Sequence, residues 1–301
     1  MTGPLAPADE PGAGGDVAVV LVHWNQPARC VHTARAFLGQ GLPLRLVVVD
    51  NGSSDEALDD LVAGLPEGAE VVRLEGNRGF GPAANVGLAR WLAGGWGEWA
   101  VVAPHDAIPE PGCLERMLDA ARRRSRAGLA SAEFGEPLRP VIDPYFGGIQ
   151  APSQARPGWE DADHPHGTLM LARRGCLEEV GLFDERYFAY CEEADLALRA
   201  RAAGWEVGIV WGAVVRNPSV SVSSPLVEYL QMRNTLLLVR EHFGRYRATI
   251  RLLLAVAGTA LQLVRPARRT PIFSARARWQ ALVDYSRARF GAPPEWLGAG
   301  G

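Results

Sequence analysis

Three carboxylates, Glu192, Glu193 and Asp195, stand close together in the stretch from Gly181 to Trp205. They follow an aromatic run, Tyr187, Phe188 and Tyr190, and fall on the first turn of what reads as a helix ending at Gly204. That is an unusual place to concentrate acid. The carboxylates can do no more than oppose the helix dipole, with Asp195 pairing to Arg199 one turn on. A fourth carboxylate, Asp50, ends an apolar run and leads into Asn51-Gly52-Ser53-Ser54-Asp55, a turn in which Ser54 or Asp55 can cap the next helix. His23-Trp24-Asn25 puts polar groups at another strand end, where open α/β sheets bind ligands. Gly76 to Gly87 is a glycine-rich loop containing Asn77, Arg78, Gly79 and Asn85. Its small residues admit a ligand close to the backbone, and Arg78 offers a charged fork to phosphate. It is not the dinucleotide fingerprint, because Pro82 and Ala84 stand where the last glycine is needed.

The elements that must position these groups follow from periodicity. Val17 to Val22, Leu44 to Val49, Val71 to Leu74 and Glu98 to Ala103 read as strands, the first two buried on both faces of a parallel sheet. Helices are expected over Pro27 to Leu38, with proline in the first turn, and from Pro109 to Gly112 through Met117 to an arginine-rich end. Residues 135–165 lose periodicity and read as a long irregular loop, either shaping an acceptor pocket or idle at the surface. Strands are expected at 166–171 and 207–211, and Leu226 to Leu238 recur at helix spacing up to Gly244. Arg251 to Arg265 brackets an apolar helix of about 20 Å, short of the roughly 30 Å needed to span a bilayer. The arginines around it make 245–278 a candidate for lying on an anionic membrane surface; core packing or a homodimer interface is the alternative.

Composition narrows the class. The 301 residues carry a formal net charge of -3, which recommends no nucleic acid as partner, and suffice for one large domain with an appendage. Cys30, Cys113, Cys176 and Cys191 form no C-x-x-C pair, so thiols reduced in the cytoplasm fit better than zinc or disulfides. Residues 1–15, rich in Gly, Pro and Ala, read as a disordered leader and not a signal peptide.

Together these stretches resemble a family 2 glycosyltransferase of the GT-A fold, in its rhamnosyltransferase-like branch. The resemblance runs from about Val17 to Gly244. It is carried by Val47 to Asp55 (V-V-D-N-G-S-x-D), by Asn77 to Gly87 (N-x-G-x-x-x-x-x-N-x-G), and by Gly167 to Arg174 with Gly181 to Gly204. It implies an α/β fold with a Rossmann-like, mixed but mostly parallel sheet flanked by helices. The division is a leader at 1–15, a transferase domain at 16–244 and a helical, arginine-rich extension at 245–301. The implied reaction is inverting transfer from a nucleoside-diphosphate sugar, for instance a dTDP- or UDP-deoxysugar, to a hydroxyl of a glycan, lipid-linked or natural-product acceptor. Glu193 takes the position of the catalytic base, with Glu192 or Asp195 as alternatives. Asp50 takes that of the nucleotide-base contact, and Asn25, Asn77, Arg78, Gly79, Asn85 and Asp106 complete the donor side. His166, Tyr190 and Arg233, the last in an Arg-Asn pair, are assigned to the acceptor. The family's D-x-D metal motif reads Pro104-His105-Asp106, so Mg²⁺ or Mn²⁺ would depend on Asp106 and His105. The histidine expected after the late strand is replaced around Arg216-Asn217, and Arg78 or Arg216 could supply positive charge instead. The site is expected in the cytoplasm, at the inner face of the membrane if 245–278 touches it. The rival is a sugar-nucleotide-binding partner protein that has lost catalysis; an oxidoreductase is disfavoured by the glycine pattern.

Overall fold

The computed structural model describes residues 17–217 and 224–298. The leader at 1–15, and Pro218-Ser219 behind the late strand, lie outside the described residues. The chain opens with Val17–His23 (β1), Pro27–Leu38 (α1), Leu44–Asp50 (β2), Asp55–Gly64 (α2), Glu70–Arg73 (β3), Phe80–Gly94 (α3) and Trp99–Pro104 (β4). Ile108–Pro109 (β5), Cys113–Arg122 (α4), Ala127–Glu133 (β6), Leu138–Asp143 (β7), Gly147–Pro152 (β8) and Gly158–Asp161 (β9) follow. Met170–Arg173 (β10), Arg174–Val180 (α5), Glu192–Ala202 (α6), Glu206–Arg216 (β11), Ser224–Val264 (α7) and Ala275–Ser286 (α8) complete it.

Every residue of β1 is buried, as a continuous β-branched run requires of a strand covered on both faces. Val17, Val19 and Leu21 join one core with α1 and α4, while Ala18, Val20 and Val22 join a second with α3, α5 and α6. Close packing sets the height of α3: a Cβ on Gly87 would come within 2.4 Å of Val20. Of the two capping candidates for α2, the Ser54 hydroxyl does the work, accepting the Ala57 N–H at 3.3 Å.

The main sheet runs in the order β3-β2-β1-β4-β10-β6-β11-β5, with β9 also on β11. Strands β3, β2, β1, β4, β6 and β11 point one way and β10, β5 and β9 oppose them. This is the mixed, mostly parallel sheet that the resemblance implies. Parallel register brings His23 beside Asp50 and Val22 beside Pro104, so the polar groups ending β1, β2 and β4 share one sheet edge.

Two expectations change. The stretch 135–165 is not a structureless loop: β7 and β8 form a hairpin and β9 joins the main sheet. Within β7 only Pro140 is fully buried, so no alternation betrays the strand. The turn is instead built by Asp143, whose carboxylate accepts the N–H groups of Tyr145 and Phe146 at 2.7 and 2.9 Å. The apolar C-terminal helix is also longer than expected. Helix α7 bends at Gly244 (φ 86°), and residues 245–264 form about 30 Å of helix at a rise of about 1.5 Å per residue. By length and composition this helix could cross a membrane, and only 11% of its most apolar window is buried. The bend coincides with the expected boundary at 244, yet Leu226 and Tyr229 before it share a core with Ala255, Ala281 and Leu282 after it.

Candidate active site

On the β1-β2 edge the polar residues form a closed network. Asp50, wholly buried, accepts from His23 Nδ1 at 2.9 Å and from the Ser53 hydroxyl at 2.5 Å, while its other oxygen takes the Ser53 N–H at 3.3 Å. His23 Nε2 in turn accepts the Gln26 N–H at 3.1 Å, which puts the ring proton on Nδ1. Burial by itself would raise the Asp50 pKa, but the hydrogen bonds of His23 and Ser53 outweigh it and hold the carboxyl below its ordinary value. Asp50 therefore anchors the following loop from inside. Asn25 is exposed, at a left-handed φ of 50°, and its side-chain oxygen accepts the Ser54 N–H at 2.9 Å.

The glycine-rich loop is fastened to the same turn. Asn51 accepts the Arg78 N–H at 2.9 Å and donates to Asn77 and to the Gly79 carbonyl at 3.0 and 3.2 Å. Arg78 keeps a half-exposed guanidinium, paired to Glu185 at 3.1 Å. Gly79 lies so close to the aromatic run that a Cβ would fall 2.0 Å from the Phe188 carbonyl, which already accepts the Phe80 N–H at 2.7 Å. Asn85 grips that run too, accepting the Phe183 N–H at 3.0 Å and donating to its carbonyl at 2.9 Å. Two stretches remote in the sequence thus meet at the N-terminus of α3.

The three acids do occupy the first turn of α6, but they divide. Asp195 is internal: one oxygen accepts from His242 at 2.7 Å, the other from Arg199 at 2.9 Å, tying α6 to α7 and to the chain at Val180 and Leu182. Glu192 packs over Gly81 of α3 and is nearly inaccessible. Among the described residues, Oε2 of Glu192 and Oε2 of Glu193 are enclosed without a hydrogen-bond partner. Burial raises both pKa values, that of Glu192 further through the Glu193 charge, and Glu193 is pushed up to about 7.

Glu193 faces a cleft of about 510 Å³ shared by Tyr190, His166, Gln150, Met232 and Arg251. The hairpin that the sequence hid supplies one wall through Phe146 and Ile149. His166 stacks on Phe134 with centroids 4.1 Å apart, and its Nδ1 accepts the Thr168 N–H at 3.3 Å. Burial, then the neighbouring His164, lower the His166 pKa to about 4, so the ring is neutral with its proton on Nε2. Tyr190 and Cys191, immediately before the acids, hold φ values of 68° and 76°. Consecutive left-handed residues other than glycine persist only under restraint, and Asn234 supplies it by donating to the Ala189 and Tyr190 carbonyls at 2.8 and 3.0 Å.

Arg233, assigned by the resemblance to the acceptor, lies behind the cleft. It is 1% exposed and lies outside the cleft lining. Its guanidinium donates to Asn234 at 3.1 Å, to the Tyr229 hydroxyl at 2.9 Å and to the Gly291 carbonyl at 2.7 Å, so it braces the restraint from behind. Asp50, Asn77 and Asp106 are also absent from the cleft lining. They are joined to it through the sheet edge: β10 runs antiparallel to β4, so Gly167, just before β10, lies at the end of β4 that carries His105 and Asp106. A Cβ on Gly167 would sit 3.5 Å from Glu193 Oε1.

The Pro104-His105-Asp106 position makes a poor metal site. Proline offers no side-chain donor. His105 Nδ1 donates to the Val22 carbonyl at 3.3 Å and its Nε2 is enclosed, while Asp106 accepts from Asn217 at 3.3 Å. Among the described residues no group of three or more His, Cys, Asp or Glu could hold an ion. Burial, then His23, lower the His105 pKa to about 4; burial raises that of Asp106. Arg29, which the sequence did not single out, is close enough to influence both. Gln150 was missed, and Arg251 and Arg278 were read only as part of the arginine-rich stretch 245–278, because only the fold brings them to the cleft.

The profile of Glycosyl transferase family 2 matches residues 19–181. The N-acetylglucosaminyl-diphospho-decaprenol L-rhamnosyltransferase of Mycobacterium tuberculosis is 30% identical over 243 residues, covering 69% of this chain and 79% of that protein. Among solved structures, the mannosyltransferase PcManGT from Pyrobaculum calidifontis, in complex with GDP-Man and Mn²⁺, superposes with a TM-score of 0.59 at 18% identity over 95% of this chain and 91% of that one. GalNAc-T7 with UDP, GalNAc and Mn²⁺ gives a TM-score of 0.59 at 15% identity over 90% of this chain and 55% of that one. At such identities these two show a shared fold.

Proposed function

The chain belongs to glycosyl transferase family 2, and from that premise we propose that it is an inverting glycosyltransferase using a nucleoside-diphosphate sugar and a lipid-linked acceptor. The observation that carries the reading is Glu193: a carboxylate with an enclosed, unpartnered oxygen, a pKa near 7, and a place in the wall of a cleft large enough for a sugar. In the proposed step the acceptor hydroxyl donates to Glu193 and its oxygen attacks the anomeric carbon. The new C–O bond forms as the bond to the diphosphate breaks; the proton goes to Glu193 and the bonding pair leaves with the diphosphate oxygen. Inversion follows from attack opposite the leaving group. Neutral His166 and Tyr190 orient the acceptor. Arg78 on the glycine loop, with Arg29 near Asp106, offers positive charge to the diphosphate, so no step is routed through a metal.

The lipid-linked acceptor is favoured by the relative's substrate and by the exposed apolar residues Leu253, Leu254, Val256, Leu263 and Val264 on the second half of α7. Arginines at 265, 268 and 269 beyond it suit an anionic membrane surface. A helix lying in the interface at the cytoplasmic face fits this face better than a crossing, because the packing of Leu252 and Ala255 against α8 holds its other side to the protein. The test is transfer from a panel of dTDP-, UDP- and GDP-sugars to a short-chain polyprenyl-diphosphate sugar, with vesicle flotation in parallel. Product from at least one donor is expected. Donor binding without product from any acceptor would favour the catalytically silent binding protein.

A further inference from the structure

Arg251 differs from the other arginine of the cleft, Arg278, which is ion-paired to Glu228. Arg251 lines the same cleft as Glu193, and among the described residues it makes no hydrogen bond and no ion pair. Its Nε is enclosed, and its guanidinium lies over the ring of Phe146 at 5.7 Å. A guanidinium carries five donors and cannot shed its charge at ordinary pH, so a half-buried one without an acceptor is costly. Burial, and next the charge of Arg278, lower its pKa. Arg278 lines the cleft as well, and the carboxylate nearest it, Glu228, is already its ion-pair partner. Two guanidinium groups thus line one cleft, and of its carboxylates, Glu193 and Glu228, only Glu228 is ion-paired to either of them among the described residues.

We propose that Arg251 and Arg278 form the subsite for the diphosphate of a polyprenyl-linked acceptor; this rests on the acceptor reading above and assigns it to residues. The chemistries gathered here support it. One lining holds Glu193, both guanidinium groups and the apolar Met232 and Ile272, and Leu253, Leu254 and Val256 are exposed on the same helix as Arg251. An acceptor hydroxyl, its diphosphate and its isoprenoid chain call for these three chemistries. Paired forks suit phosphate oxygens better than a single carboxylate. The donor's own diphosphate is the less suitable occupant, because Asn77 and Asp106, on the donor side, are not in this lining.

Geranyl diphosphate in detergent, titrated into the full-length protein by calorimetry, is the probe. Wild type is expected to bind it, Arg251→Gln to bind it at least about tenfold more weakly, and Arg251→Lys to fall between. Because Arg251 has no internal partner to lose, Arg251→Gln should fold with an unchanged or higher Tm. Geraniol and inorganic diphosphate should each bind wild type at least about tenfold more weakly than the probe. Equal affinity of wild type and Arg251→Gln would overturn the subsite. So would inorganic diphosphate or dTDP binding as tightly as the probe with the same dependence on Arg251, the signature of a free-anion or donor site. A thermal-shift titration with dTDP-sugars separates the two layers: retained donor binding with no probe binding sinks the subsite alone, and the reverse sinks the donor reading alone.

Discussion

Two polar clusters lie near one edge of the sheet, and they are built on opposite principles. Around Asp50 every group is answered from within: His23, Ser53 and Gln26 close one circuit, and Asn51, Asn77 and Gly79 close the next. Around Glu193 the groups are left open, with enclosed oxygens on Glu192 and Glu193 and an enclosed nitrogen on Arg251 lacking partners, beside strained backbone at Tyr190 and Cys191. A satisfied network stabilises and positions. Unsatisfied groups cost stability and are retained where a ligand completes them. The difference separates the scaffold that presents the donor loop from the wall where a proton has to move.

The sharpest break of this comparison is Glu193→Gln. It keeps shape but removes the base, and turnover should fall by about 10²–10⁴-fold with donor binding intact, read by single-turnover transfer and nucleotide titration. Full activity would return the acids to the bland role of opposing the helix dipole. Asp50→Ala should do the converse. It leaves His23 and Ser53 without their acceptor and should cost about 1–3 kcal/mol of stability by denaturant melts, with donor affinity falling through the displaced loop. Asn234→Ala should cost a similar or smaller amount, and because it releases Tyr190 it should lower kcat more than it raises the donor KM.

How far the sequence made this contrast visible depends on which side is considered. The scaffold was legible because its signals are local: buried β-branched runs, a proline at a helix start, a serine cap, glycines where helix meets strand. The first-turn position of the three acids was equally plain. That Asp195 is consumed by His242 and Arg199, and that Arg233 is turned inward to Tyr229 and Asn234, needed contacts between elements far apart in the chain. The β7-β8 hairpin was illegible for another reason. With one buried side chain in β7, it has no period to read, and its strands exist because they pair with each other.

Titration sharpens the comparison further. If Glu193 is the base, the rate should rise with pH through about 7 and then level, since only the ionised carboxylate accepts the proton. Stability should move the other way. A carboxyl raised in the folded state from 4.5 to about 7 binds more protons folded than unfolded across that interval, so its contribution is present below pH 4.5 and lost as pH rises to about 7. Glu193→Gln should therefore raise Tm at pH 8 and change it little at pH 4. Asp50 has the opposite sign: its lowered pKa stabilises at neutral pH and that contribution is lost on acidification. A Glu193 variant whose Tm gain is the same at both pH values would remove the distinction between the clusters.

The smallest effect is expected from chelation. Divalent ions of the Mg²⁺ and Mn²⁺ type want several oxygen donors, and here Asp106 already accepts from Asn217 while the proline before it and the enclosed His105 nitrogen add little. If arginines carry the leaving diphosphate instead, EDTA should lower transfer by less than about tenfold, whereas loss of one preorganised positive donor, as in Arg29→Gln, should cost about tenfold or more. Abolition of transfer by EDTA with full recovery on Mn²⁺ would mean that Asp106 and His105 rearrange around a metal when the donor arrives. The donor edge would then be the incomplete one as well, and the contrast with Glu193 would be a matter of which ligand binds first.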